Sequence, residues 1–324
     1  MLTGDRPAGR LHLGYYFGTL QNRARLQDLA VNTFMLIVDY QVLADRDVAE
    51  NLSGNVEDLV LDYLAVGLDP AKSTIYSHSA VPALNQLLLP FLSLVSVAGL
   101  GRNPTIKDEI KHSQQSAVSG LMFTYPLHQA ADMLFCKSNL VPVGQDQLPH
   151  LEFTRTIARR FNRRYGVGGD VFLEPEALLS SAPLLLGTDG GKMSKSRGNA
   201  IALADGADET ARLIRGAKTD SIRHITYDPL VRPEVASLIL LAALCQKLDP
   251  QDVAEEVGSG GSGELKKVVT ESVNEHLAPI RARRAELGRD RSHLRDILKQ
   301  GNQHANPIAE RTLGQVREAM GTSY

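Results

Sequence analysis

Apolar and polar positions along the first half of the chain fall into two alternating rhythms. "NTFMLIVDY" (Asn32–Tyr40) is a continuous apolar run, the pattern of a strand covered on both faces. "STIYSHS" (Ser73–Ser79) and "NLVPVG" (Asn139–Gly144) read as shorter strands, and Met1–Thr3 as a strand of only a few residues. Between them Val48, Leu52, Val56, Leu59 and Tyr63 share one helical face, and Leu148–Asn162 is a second helix with a charged outer face. Strands alternating with helices too long for hairpins predict an α/β fold with a doubly wound parallel sheet. Such sheets bind ligands beyond the carboxyl ends of their strands, so "VDYQ" (Val38–Gln41) and "VPVGQDQ" (Val141–Gln147) are candidate site segments.

Beyond about Thr188 the strand rhythm fades. Glu209–Ala217, Pro233–Gln246 and Gly263–Ala285 read as helices, and a last amphipathic helix spans about Asn306–Met320. "GSGGSG" (Gly258–Gly263) reads as a flexible surface connection. The expected organisation is an α/β domain over 1–187, a polar loop at 188–200, a smaller all-helical domain over 201–290, and C-terminal helices at 291–324 that pack back on the first domain.

Composition narrows the class without naming a chemistry. The 324 residues are 43% hydrophobic and 22% charged, as in an ordinary globular protein. A formal net charge of −2 argues against a general nucleic-acid coat but leaves room for a local basic face. The stretch "RARRAELGRDRSHLRDILK" (Arg281–Lys299) is either such a phosphate-binding face or a solvated helix surface. Two distant cysteines, Cys136 and Cys245, offer neither a disulfide framework nor a cysteine-only four-ligand metal site, which suits a reducing compartment. With no apolar run of about 18 residues and no basic-apolar leader, the expectation is a cytoplasmic protein without membrane contact.

Two stretches carry chemistry. "LTGDRPAGRLHLGYYFGTLQN" takes a short strand through a loop bearing Gly4, Pro7 and Gly9 into a helix that begins near Leu11 or His12. Glycines there let the backbone approach a ligand, and a helix N-terminus offers N–H groups to phosphate. On spacing alone His12 is equally a capping or surface residue. "GTDGGKMSKSRGNA" (Gly187–Ala200) is too polar to build a core and places Lys192 and Lys195, with Ser194 and Ser196, between glycines.

Taken together, His12-Leu13-Gly14-Tyr15 after the first strand and Lys192-Met193-Ser194-Lys195-Ser196 resemble the two signature motifs of class I aminoacyl-tRNA synthetases. "TYPLHQAADMLF" and "LVPVGQDQLPHLEFTRTIARRFNRRYG" make the resemblance closest to the bacterial-type tryptophanyl enzymes, over nearly the whole chain. The resemblance implies a Rossmann-like catalytic domain, a helical domain that contacts the tRNA anticodon, and a homodimer. It implies tryptophan, ATP with Mg²⁺, and tRNA(Trp) as substrates. The sister tyrosyl family and a synthetase-like paralogue that binds without aminoacylating are the alternatives.

Residue by residue, the resemblance places Arg6, Pro7, Ala8, His12, Gly14 and Tyr15 against the nucleotide, with Gly144, Gln145 and Asp146, the last on the ribose. Lys192, Met193, Ser194, Lys195 and Ser196 close on the phosphates. Lys195 foremost, then Lys192, stabilises the leaving pyrophosphate, joined by Lys107 or its rival Lys111 and by His12. Asp132 accepts the indole N–H, Val141 and Val143 line the indole slot with Gly4 and Gln129 nearby, and Gln147 with Tyr125 receives the substrate ammonium. A solvated helix position is the other reading of Asp132. Three positions depart from the family: Tyr15 replaces a His or Asn, Gln129 an apolar residue, and Gln41 a His found in some relatives. The chain contains no tryptophan, which fits either chance or an inducible copy translated when charged tRNA is scarce.

Overall fold

The computed structural model describes residues 1–29, 31–43, 51–103, 106–107, 118–144, 147–179, 184–194 and 197–324. The run Thr33–Ile37 forms β2, every residue of it buried. Its side chains divide with a period of two: Met35 and Ile37 enter one core, Phe34 and Leu36 the other. A strand buried on both faces needs helices on both faces, and the sheet is parallel accordingly. β1 (Leu2–Asp5) pairs with β2 in parallel, Leu2 opposite Phe34, and β2 pairs with β3 (Ser73–Ser77), Phe34 opposite Thr74. A second parallel pair, β4 (Leu140–Val143) with β5 (Glu176–Leu179), lies alongside β1. The Rossmann-like α/β reading is therefore what the backbone shows.

The helices follow in order: α1 (Leu13–Tyr15), a π-helical turn (Tyr16–Leu20) and α2 (Gln21–Asp28) form one rod after β1. α3 (Asp39–Val42) and α4 (Leu52–Ala65) follow β2. α5 (Pro82–Gln86), α6 (Leu88–Leu92), α7 (Val97–Gly101) and α8 (Gly120–Leu134) lie between β3 and β4. α9 (Leu148–Tyr165) joins β4 to β5. The remainder is helical: α10 (Ala207–Arg215), α11 (Pro233–Gln246), α12 (Pro250–Val257), α13 (Gly261–Leu287) and α14 (Arg291–Met320). Leu13, Leu59 and Tyr63 share one core cluster with Ile239, Val269 and Leu277, so the helical segment is packed on the α/β half through common apolar contacts. Among the described residues no helix is long and apolar enough to cross a membrane.

Several elements differ from the sequence expectation. β2 stops at Ile37 because Asp39 turns the chain into α3, its carboxylate accepting from the Ser79 N–H and hydroxyl. β5 was not expected; "EALL" is half exposed and shows no apolar alternation. "GSGGSG" is not a loose linker. Gly258–Gly260 is one tight helical turn, Gly258 and Gly261 take positive φ, and α13 begins at Gly261. The last helix starts at Arg291 rather than Asn306, running through Pro307, where the Asn306 amide donates to the carbonyls of Ala80 and Asn302. Val48 lies outside the described residues.

Part of the arginine-rich stretch is paired within the fold, while Arg283, Arg289 and Lys299 stay exposed. Arg284 donates to Asp62 at 2.7 Å, Arg291 to Asp58 at 2.8 Å, and Arg295 meets Glu57 at 3.0 Å, all on α4. Burial pushes the Asp62 carboxyl above its ordinary range, against the pull of Arg284.

α14 approaches β3 most closely at Gly301, where a Cβ would stand 1.7 Å from the Ile75 carbonyl oxygen. Neighbouring Asn302 accepts from the Ser77 N–H, so helix and strand are in register as well as in contact. Gly301→Ala should therefore push helix from strand and cost about 2–3 kcal/mol or more in urea unfolding. Gly314→Ala, on the same helix with open space around its Cα, should be neutral or stabilising by up to about 1 kcal/mol. Equal effects of the two would remove the special role of position 301.

Candidate active site

The loop that leads to His12 leaves β1 at Asp5 and turns at Gly9, whose φ of +95° suits glycine. His12 then sits in an extended conformation as the N-cap of α1, its Nδ1 accepting from the Tyr15 N–H at 3.2 Å. The capping role considered from the sequence is thus filled by one ring nitrogen.

This helix start is stitched to the chain that follows the lysine loop. The Leu13 N–H donates to the Ile201 carbonyl and the Leu203 N–H to the Leu11 carbonyl, each at 2.9 Å. Gly14 donates to the Met193 sulfur at 3.3 Å, and a Cβ on Gly14 would lie 3.2 Å from it, so Met193 packs where a side chain would stand. The two motifs, about 180 residues apart in sequence, are in direct contact. Between Ala8, Gly9 and His12 on one side and Gly198, Ala200 and Asp205 on the other opens a cleft of about 320 Å³.

The described residues of the lysine loop are wound about one buried side chain. Asn199 accepts from the Ser194 N–H at 2.8 Å and donates to Asp189 at 2.7 Å and to the Lys192 carbonyl at 3.1 Å. Gly187 leaves the space for it; a Cβ there would be 2.3 Å from its amide nitrogen. The Asn199 amide and the Gly191 N–H, both donating to it, hold the Asp189 carboxyl below its usual range. Gly190 and Gly198 take positive φ. Lys192 is exposed and Met193 buried. Lys195 and Ser196 lie outside the described residues, as do Gln145, Asp146 and Lys111; Lys107 is exposed.

Tyr15 is accounted for by a buried network. Its hydroxyl accepts from Arg23 at 2.9 Å, and the guanidinium also lies 5.5 Å from the ring centre. Arg23 grips Asp5 through both terminal nitrogens, and the Tyr63 hydroxyl donates to the same carboxylate. Burial and Asp5 push the Tyr63 phenol well above its ordinary value. The departure from His or Asn thus ties the start of α1 to the end of β1. Arg6 is exposed, and Pro7 and Ala8 lead into the turn.

On the other side of the sheet, Asp132 is only 2% exposed, which removes the solvated alternative. Its Oδ1 accepts from His78 Nε2 at 2.5 Å. His78 follows β3, and its ring stacks on His128 with centres 4.3 Å apart; Tyr40 stacks beside both. His128 and Asp132 are one helical turn apart on α8, hence on one face. The Asn85 amide nitrogen donates to the carbonyls of His78 and Val81, which leaves its oxygen for His128 Nε2 at 2.7 Å. His128 Nε2 therefore carries the proton. Burial lowers the His128 pKa against the opposing pull of Asp132, favouring the neutral ring.

Tyr125, Val141 and Val143 are buried in one apolar cluster, and the Tyr125 hydroxyl lies 3.2 Å from His150 Nε2. The Gln147 N–H donates to the Gly144 carbonyl at the end of β4. Gly4 lies against Leu36 and Val38, Gln129 is half-buried and Gln41 buried. His78, His128 and Asp132 offer donor atoms within 4.8 Å of one another, but two imidazoles suit a soft ion rather than Mg²⁺, and both Nε2 atoms are engaged in hydrogen bonds.

Sequence reasoning passed over His78, Asn85, His128, Asn199 and Arg23. His78 was within reach, since it follows a strand whose carboxyl end the ligand rule marks. Asn199 carried no signal beyond its place in a polar loop.

The family model for "tRNA synthetases class I (W and Y)" matches residues 1–278. The chain is 40% identical to a tryptophan–tRNA ligase of Clostridium longisporum, covering 100% of this chain and 97% of that one. It is 40% identical to a tryptophan–tRNA ligase of Lactococcus lactis subsp. lactis, covering 100% and 98%. Among solved structures, the tryptophanyl-tRNA synthetase of Campylobacter jejuni complexed with ADP and tryptophan superposes with a TM-score of 0.85 at 30% identity, covering 99% of each chain. With the two motifs in contact beside a parallel sheet, the chain belongs to the class I tRNA synthetases of the tryptophan and tyrosine group.

Proposed function

We infer that the protein is a tryptophan–tRNA ligase: tryptophan attacks the α-phosphate of ATP, pyrophosphate leaves, and the acyl group passes from the adenylate to tRNA(Trp). The observation that carries the inference is the contact between Gly14 and Met193, which sets the helix start and the lysine loop around one cleft. The full-length likeness to tryptophan–tRNA ligases supports tryptophan over tyrosine. ATP enters as its Mg²⁺ complex, in the cleft that Ala8, Gly9 and His12 share with Gly198, Ala200 and Asp205. Lys192 and Lys195 act as pyrophosphate leaves, an interaction made in the transition state and so expressed in turnover. Asp146 takes the ribose, while Gln147 and Tyr125 take the ammonium.

Asp132 accepts the indole N–H. A buried acceptor left without its donor costs about 1–3 kcal/mol, more when charged, so phenylalanine is rejected. The helical segment at 201–290 contacts the anticodon, the protein works in the cytoplasm, and it acts as a homodimer.

Tryptophan-dependent exchange of labelled pyrophosphate into ATP tests the activity; a folded preparation that binds tryptophan without exchange would instead be a non-aminoacylating paralogue. Lys195→Ala should slow activation by roughly 10²–10³ while tryptophan affinity stays put. Equal losses in binding and turnover would mean that the loop organises the pocket instead. Asp132→Asn should lower kcat/KM for tryptophan more than tenfold, on the order of 1.4 kcal/mol or more, and erode its preference over phenylalanine. An unchanged preference takes Asp132 out of the site.

A further inference from the structure

We propose that His78 is a specificity-determining positioning residue, which holds the Asp132 carboxylate with one oxygen occupied and the other presented to the indole N–H. The proposal rests on Asp132 being the indole acceptor.

Among the described residues, His78 is the one hydrogen-bond partner of the Asp132 carboxylate. A carboxylate 2% exposed with a single donor has a second oxygen left to satisfy, and a ligand N–H does so. Which oxygen that is, and where it points, depends on the donor that fixes the first.

His78 is built to be immobile. It is fully buried, its carbonyl accepts from both the Val81 N–H and the Asn85 amide, and its ring lies flat on His128. His128 is held in turn by the oxygen of the same Asn85 side chain. Asn85 therefore fixes both imidazoles, one through its backbone carbonyl and one through its ring. The chain of contacts runs Asn85, His128, His78, Asp132, with Tyr40 lying along the ring faces. An acceptor held this way needs no rearrangement when the substrate docks, and its preference for a ligand with a matching N–H is correspondingly sharp.

The geometry separates two conservative substitutions. Glutamine can place its amide nitrogen where Nε2 stands, whereas asparagine reaches only as far as Nδ1. His78→Gln should retain the KM for tryptophan and the tryptophan-over-phenylalanine ratio within about threefold. His78→Asn should raise the KM for tryptophan and shrink that ratio by roughly 10- to 100-fold, the worth of a hydrogen bond to a charged group. The KM for ATP should change little in either. The measurements are pyrophosphate exchange with each amino acid, alongside thermal unfolding to show that both variants are folded.

Equal selectivity in the two folded variants overturns the role of His78, as does a loss confined to kcat. Asp132→Asn, measured in parallel, separates the levels. Collapse there with unchanged His78→Asn refutes only the positioning role, whereas no collapse there refutes the assignment of Asp132 itself. Should His78→Asn fail to fold, His78→Phe keeps the ring stack and removes the donor, and unchanged selectivity in it is equally fatal.

Discussion

The geometry of the site depends on residues 11–14 and 193–203 holding each other. Two backbone hydrogen bonds and one N–H to sulfur contact join a helix start to the far side of a loop that arrives about 180 residues later. At the point of contact one partner is the first turn of α1 and the other is irregular chain. The helix start lacks intrahelical partners for its N–H groups, and the loop cannot bury its own backbone. Each supplies what the other lacks, so the polar backbone is satisfied while the apolar side chains of Leu11, Leu13, Met193, Ile201 and Leu203 close a common core. Because Asn199 winds the loop from inside, the lysine at its exposed edge is carried on a framed turn.

Around that junction, buried charges are placed where the backbone must be fixed. Asp5, gripped by Arg23 and Tyr63, ends β1 at the point where the loop leading to His12 departs. Asp62 accepts from Arg284 on α13 and, at 3.4 Å, from the Leu11 N–H, one residue before His12. The helical segment thereby reaches the helix start through a single carboxylate. His276 of α13 makes a second connection, meeting the Tyr16 hydroxyl at 3.2 Å. Such pairs add little net stability once desolvation is counted, but removing one partner strands the other, which makes them effective at fixing position.

The fold was legible where burial imposes periodicity. The two-sided burial of Phe34 to Ile37 wrote a continuous apolar run, and the one-sided burial of α9 wrote an amphipathic one. β5 was illegible because an exposed edge strand has no burial to record. Glycines misled at 258–263: their composition says flexibility, while their positive φ at Gly258 and Gly261 serves a fixed turn. At 281–299 the sequence left the role of the arginines open for a different reason. Their partners Glu57, Asp58 and Asp62 lie more than 200 residues away, and local sequence does not reveal which charges will meet. In the site, motif residues were legible because their spacing is short. His78, Asn85 and Asn199 were not, since each acts by touching a residue that another element delivers.

The close seat of α14 on β3 bears on how the protein comes to be folded during synthesis. Ser77 closes its hydrogen bond with a residue 225 positions further on, and Gly301 is the point at which helix and strand nearly touch. A central α/β sheet would ordinarily complete itself as soon as its strands emerge from the ribosome. Here the outer strand of the β1–β2–β3 sheet stays uncovered on one side until α14, whose Asn302 lies 225 residues beyond Ser77, has been made. Closure of that side of β3 therefore waits on a contact that is 225 residues away in sequence at the Ser77–Asn302 bond, a non-local pairing of the kind that slows folding.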